Sequence, residues 1–525
     1  MNKRPVISIV INAHIPWSIH DPVYEKPFFE SLSDTYLPLL EIFDRLDADH
    51  VPFHIGLSLS PSLCCLLSEV RMQKRYLDYM TARIEFGQKE VERAAALRGE
   101  SAERLQRLAQ YYYDEAVERR IQFSERYERN ILKVFDYYQT KGNIELLATA
   151  ATHAFLPLYI SQPEAIQAQI ETAISVFRFH FGKYPMGFYL PEFGWTPGVD
   201  TFIRAYNFGY TICDTHALIL GNPAASKGSF YPVRTSLGVC IMARDFYAAR
   251  DITGEDGFPR TEEYRDNQKD VGFELPRAAL ASFIGKSPCR LATGYKYWAR
   301  GKTIYEPETA LKTARTHARE FLHKQTVRLQ EASAYMKETP LCLCAVDADA
   351  FGRCWYEGPA FLEALFREAN HADIRCVSPS EYLYDQDGSL FETVIPSFSS
   401  SGESGYAETW LDSSNDWMYR HIERAIERMT ELAERFPNES GIKERALNQA
   451  ARELLLAQDS CLPKRIYYQE HAEYNTKEIE NDLRNFTTIY ESLGSSHIST
   501  DWLIKLERSH RIFPHINYRM FKRKR

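Results

Sequence analysis

Short apolar runs that stop at polar residues alternate with long amphipathic stretches along most of the chain. Residues 6–11 (VISIVI) read as a buried strand ending at Asn12-Ala13-His14, and Pro16 and Pro22 mark a loop beyond it. From position 62 to 156 there is no proline, and charged residues interleave with Leu, Tyr and Ile at helical spacing. This predicts long helices inserted at about 62–140. Further apolar runs occur at 187–190, 210–213, 341–346 and 374–377, and helical patterns such as 307–335 separate several of them. Such alternation predicts a parallel sheet or barrel. Beyond Pro396 the pattern changes. Ile422, Ala425, Ile426, Met429, Leu432 and Ala433 make one apolar helix face, and residues 438–441 break it. The expected fold class is therefore α/β over residues 1–395, followed by a C-terminal α-helical domain over 396–525.

Bulk properties narrow the setting. A chain of 525 residues exceeds what one core usually holds. A net charge of −8 argues against nucleic acid as a partner, and the basic stretch 519–525 reads as a solvated tail. No apolar run is long enough to span a membrane. The N-terminus enters a strand-like run with no signal-peptide pattern, and the ten cysteines show no CxxC spacing. A cytoplasmic location is expected. The 32 Tyr, 30 Phe and 7 Trp suit a sugar cleft, although a large core also uses such rings.

Four segments join an apolar run to a polar end: INAHIPW (11–17), GNIELLATAATHAFLPL (142–158), GFYLPEFGWTPGVD (187–200) and LCAVDADAFGRCWYEGP (343–359). In parallel α/β folds, strand ends carry the site. Glu192 and Asp347 end two different runs. Such a pair suits glycoside chemistry, with one carboxylate attacking the anomeric carbon and the other delivering a proton to the leaving oxygen. Plainer readings stand beside this one. A strand-end Glu serves as a loop or capping carboxylate. His153, inside an apolar stretch read as helical, serves as a core histidine. Trp195, Trp355, Trp410 and Trp417 serve as core residues. Asp347 and Asp349 could also pair with His14 and His153 around a metal, as in a metal-dependent deacetylase, but no tight ligand cluster supports that.

Taken together, the four segments resemble the signature regions of glycoside hydrolase family 57, most closely its α-1,4-glucan branching group. INAHIPW resembles the HxHxP region, with Asn12 in place of the first His. The second region supplies His153. The third places the family's nucleophile on Glu192. The fourth, usually DxELFGHWWYEGP, places the acid/base on Asp347. SPSEYL (378–383), GYAETWLDSSNDW (405–417) and the closing FPHINYRMF also look like branching-group sequence. The resemblance implies an incomplete (β/α)7 TIM-like barrel, retaining chemistry on an α-1,4-glucan such as amylose or glycogen, and neither metal nor organic cofactor. It implies substrate contacts from His14, His153, Trp195, Asp349, Trp355 and Trp410, and from Arg265 in EEYRD. It leaves the oligomeric state open.

The sequence also departs from the pattern. Asp349 replaces a Glu, Arg353 a His and Cys354 a Trp. Ser401 stands where the group has a substrate-stacking Trp. Cys461 replaces a substrate-binding Asp, and Glu470 a Gln. The group's mobile-loop tyrosine falls within 235–251, where Phe246 and Tyr247 are the candidates. The leading expectation is a branching enzyme forming α-1,6 links. An α-amylase or 4-α-glucanotransferase of the same family, or a catalytically weakened glucan-binding protein, are the alternatives.

Overall fold

β1 (Val6–Ala13) is buried at every residue and pairs in parallel on both sides. On one side lie β2 (Ile55–Leu59) and, next to it, β3 (Ile144–Leu147). On the other lies β8 (Leu341–Asp347), and β9 (Arg375–Cys376) pairs with the first residues of β1. A second sheet contains β4 (Gly187–Tyr189), β5 (Tyr210–Cys213) and β7 (Cys240–Ala243), all parallel. β6 (Val233–Arg234) runs antiparallel to β7, and β10 (Glu392–Thr393) pairs with β6. A bridge between Ala148 and Phe188 joins the two sheets, so the parallel order runs β8-β1-β2-β3-β4-β5-β7. These runs are near-continuously apolar because both strand faces are buried: Ile7, Ile9 and Ile11 join the large core, while Val6, Val10, Tyr210, Ile212, Leu341 and Leu343 share a second cluster built mainly of strand residues. The computed structural model describes residues 4–17, 22–285, 289–495 and 497–524.

Between β2 and β3 stand the long helices Val70–Ala95 and Ala102–Ile121. Their inner face docks on the segment around residue 296. Tyr112 donates to the Lys296 carbonyl at 2.6 Å, and Tyr297 donates to Glu90 at 2.9 Å. The helix expected at 307–335 is Pro307–Ser333. In the C-terminal region, Ile422, Ala425, Ile426, Met429, Leu432 and Ala433 form the buried stripe of helix Tyr419–Arg435, and the next helix is Gly441–Ala457. Cys461–Tyr467, Ala472–Gly494 and Thr500–Ser509 complete the bundle.

One local expectation fails. The stretch holding His153 is not helical. β3 ends at Leu147, and His153 sits in an irregular segment with φ of 54°. Its backbone serves a turn, and its apolar neighbour Phe155 is buried against Trp410. The short strands β2, β6, β7 and β10 also escaped the hydrophobic pattern.

Candidate active site

Parallel register brings the first two groups together. Asn12 on β1 pairs directly with Asp347 on β8, at the C-terminal ends of neighbouring strands. Six buried residues of β8 precede Asp347, which is exposed. The Asn12 amide donates to Asp347 Oδ1 at 3.1 Å and lies 3.1 Å from His153 Nε2. With Asn12 donating, His153 Nε2 is the acceptor, and Nδ1 carries the proton shared with Ser460 Oγ at 3.1 Å. The same Nδ1 lies 3.9 Å from Glu192 Oε1. A chain of contacts therefore links the two carboxylates: Glu192, His153, Asn12, Asp347.

Glu192 stands just beyond β4 on a strained turn. Its φ and ψ are 55° and 23°, and Phe193 follows with φ of 53°. Left-handed backbone at a non-glycine costs about 1–3 kcal/mol and persists only when its surroundings impose it. Here the segment 399–401 does so. Trp195 and Ser399 exchange backbone hydrogen bonds of 2.8 and 3.1 Å, and Ser401 N donates to the Glu192 carbonyl at 2.6 Å. The Ser401 hydroxyl then donates to Glu192 Oε2 at 2.9 Å. From the C-terminal helix Cys461–Tyr467, Lys464 Nζ reaches Oε2 at 3.3 Å.

Glu192 and Asp347 line one cleft of about 720 Å³, with His14, His153, Trp355 and Cys461 on its wall. That volume suits a ligand of a few sugar rings. The two histidines stack with centroids 4.6 Å apart. Burial alone would lower His14, but the Asp459 carboxylate, together with Cys461, overrides it and holds the imidazolium up to about 10. Burial, then the His14 and Lys464 cations, push His153 well below the ordinary range, so it is neutral. Glu192 in turn holds the Lys464 ammonium above its usual value. The Glu192 carboxylate thus faces the Lys464 cation and a neutral His153, and the His14 imidazolium stacks on that imidazole.

Other expected site residues are placed differently. Asp349 lines the cleft, but its oxygens are taken by Ser31 (2.8 Å), Thr35 (3.1 Å) and the Arg353 guanidinium (2.6 Å). Trp195 is 1% exposed and donates to the Pro396 carbonyl, bracing the Glu192 turn from behind. Trp410 is fully buried, stacks on Phe155 at 4.8 Å and donates to the Ser460 carbonyl. It positions the loop that holds His153. Arg265 is buried away from the cleft wall, with its guanidinium 3.6 Å over the Tyr356 ring. Glu470 is exposed and off the wall. Trp195, Trp410, Arg265 and Glu470 thus stand off the cleft wall, while Asp349 is on it. Tyr247 is exposed, faces Arg328 at 4.9 Å and is likewise off the wall.

Lys464, Asp459 and Lys296 were missed in the sequence. Lys464 lies three residues after Cys461, so helical spacing alone puts both on one face. Lys296 carried no local signal.

Known proteins share this layout. The model of glycosyl hydrolase family 57 matches residues 8–396, and that of the 1,4-alpha-glucan branching enzyme C-terminal region matches 421–521. A 1,4-alpha-glucan branching enzyme from Thermococcus kodakarensis is 24% identical over 540 residues, covering 93% of this chain and 73% of its own length. The crystal structure of the alpha-amylase AmyC from Thermotoga maritima superposes with a TM-score of 0.91 at 31% identity, covering 100% of both chains. A GH57-type branching enzyme from Pyrococcus horikoshii gives 0.89 at 23% identity, covering 99% of this chain and 97% of its own. This chain belongs to glycosyl hydrolase family 57.

Proposed function

We propose that the protein is a retaining α-1,4-glucan transferase that forms α-1,6 branches, working in the cytoplasm on amylose- or glycogen-like chains. The observation that carries this reading is the pair Glu192 and Asp347 on one cleft, tied through His153 and Asn12. The branching-enzyme relative and the matched C-terminal region support the branching outcome. No disulfide joins cysteines among the described residues, which suits a reducing compartment. Among the described residues no helix is long and apolar enough to cross a membrane. The parallel run β8-β1-β2-β3-β4-β5-β7 supports an incomplete (β/α)7 barrel whose C-terminal rim carries both acids.

In the first half-reaction Glu192 attacks the anomeric carbon and the glycosidic C–O bond breaks. Asp347, protonated for this step, gives its proton to the departing oxygen. Ser401 and Lys464 hold the Glu192 carboxylate in place for attack. In the second, Asp347 takes the proton from an acceptor 6-hydroxyl, which attacks the same carbon and releases Glu192. His14, His153, Trp355 and Cys461 supply the surrounding sugar contacts. Water in place of the 6-hydroxyl would give hydrolysis, the reaction implied for the Thermotoga protein by its name, alpha-amylase.

Incubation with amylose separates the outcomes. New α-1,6 signals by proton NMR with few new reducing ends are expected. Reducing ends without branches would replace branching by hydrolysis, and a ladder of linear products would mean disproportionation. Retained binding with no product would leave a glucan-binding protein.

A further inference from the structure

The cleft carries a second set of donors that glycoside chemistry does not require. We propose that His14, Asp459 and Cys461 form a binding site for a thiophilic divalent cation, Zn²⁺ by its donor set, on the wall of the cleft. The imidazole, carboxylate and thiol ligand atoms all lie within 4.8 Å of one another. A tetrahedral zinc places its N, O and S ligands about 3.3–3.8 Å apart, so only a small closure is needed.

Two of the three ligands are already held by hydrogen bonds. His14 Nδ1 contacts Ser60 Oγ at 2.9 Å, which leaves Nε2 aimed at Asp459 Oδ1, 3.3 Å away. An outer hydrogen bond of this kind is what fixes metal-binding imidazoles. Asp459 Oδ1 also accepts from the Cys461 amide at 2.8 Å. Asp459 is 3% exposed, and its Oδ2 is buried with no hydrogen-bond partner. A buried carboxylate oxygen without a donor is costly, and a cation satisfies it. Asp459 and Cys461 flank the start of helix Cys461–Tyr467, while His14 follows β1, so the site exists only in the folded chain. His14 and Cys461 face the cleft, leaving a fourth position for water or a sugar hydroxyl.

An imidazole, a thiolate and a carboxylate suit zinc and cadmium better than calcium or magnesium. On binding, the thiol proton of Cys461 and the Nε2 proton of His14 leave to solvent, and two metal–ligand bonds replace them. The ion would occupy sugar space beside Glu192 and act as a reversible inhibitor competing with glucan. Only this last consequence rests on the glucan reading.

The test is a titration of the full-length protein with Cd²⁺, followed by the ultraviolet thiolate-to-cadmium charge-transfer band, with Zn²⁺ as competitor. One equivalent per chain is expected. Cys461→Ala should abolish the band, and His14→Gln should weaken binding at least about tenfold. Cys354→Ala and Cys289→Ala, which remove the two exposed thiols, should keep it. Thermal melts establish that each variant is folded. The proposal is overturned if the unaltered protein shows no band, if the band survives in Cys461→Ala, or if it follows Cys354 or Cys289. It is also overturned if His14→Gln binds as tightly as the unaltered protein, since the thiol would then act alone. Metal binding at Cys461 in a protein that converts no glucan would leave this site standing and sink the glucan reading.

Discussion

Lys464 Nζ lies 3.3 Å from Glu192 Oε2, although one residue sits on a C-terminal helix and the other just beyond β4. The C-terminal region therefore completes the charge balance of the cleft. A charge-assisted hydrogen bond of this type contributes about 1.5–3 kcal/mol. Lys464→Met should lower kcat/KM on glucan about 10- to 100-fold. Lys464→Arg should recover part of the loss by restoring the positive charge. Steady-state kinetics of both variants checks this, and unchanged kinetics in Lys464→Met would show that the pair is a bystander.

Asp347 can be tested by the need for its proton. A glucosyl fluoride has a leaving group that departs without protonation, whereas a glucan oxygen does not. General acid catalysis contributes about 10²- to 10⁴-fold. Asp347→Asn should lose that much on amylose and far less in the first step with α-glucosyl fluoride. Glu192→Gln should lose activity on both, because the attacking group itself is gone. Equal losses for Asp347→Asn on the two substrates would remove the assigned role.

Much of this arrangement was legible in the sequence because the strand ends write their chemistry locally. The run before Asp347 is β8, the helix face from Ile422 to Ala433 is buried, and Glu192 follows Pro191 at the end of β4. What stayed hidden depends on contacts distant in the chain. Asn12 could be recognised as a replaced histidine, but not as the bridge between Asp347 and His153, since that needs the β1–β8 register. Trp195 and Trp410 carry two readings in the sequence, core residue and substrate contact, and only the fold shows them bracing the turn and loop behind the site. Residues 142–158 misled because a buried strand followed by an apolar turn has the same composition as a buried helix.

Stability should carry the signature of His510. Its Nδ1 lies 2.8 Å from both Glu453 oxygens, inside the C-terminal bundle. Burial would lower it, but Glu453 prevails and holds it up to about 9. A raised histidine contributes stability that is fully present below its unfolded value near 6.5 and is lost as pH rises through 9. Burial also pushes the neighbouring Asp482 carboxyl up, which gives the same sign. His510→Gln should therefore be less stable than the unaltered protein at pH 6 by up to about 3 kcal/mol, and the gap should close by pH 10. Chemical denaturation at both pH values checks it. A gap independent of pH would mean that packing, not charge, sets the role of His510.

Lys296 should behave in the opposite way. It lines the cleft, is only 8% exposed, and is lowered to about 8 by burial, then by the Arg265 cation. Asp270, Glu30 and Asp34 pull it back only in part. Below pH 8 both folded and unfolded chains hold the proton, and the folded chain bears the cost of a buried ammonium. Between about 8 and 10.5 the unfolded chain still binds the proton while the folded chain has released it, so the stability of the unaltered protein rises with pH across this window. Lys296→Met, which has no charge to bury, should be the more stable protein at pH 7 by up to about 3 kcal/mol, and this advantage should vanish by about pH 10.5. Denaturation of both proteins across pH 7–10.5 measures the difference directly, with other titrating groups cancelling between them. A constant offset, or a variant less stable at pH 7, would show that Lys296 is better solvated or better paired in the cleft than its surroundings indicate.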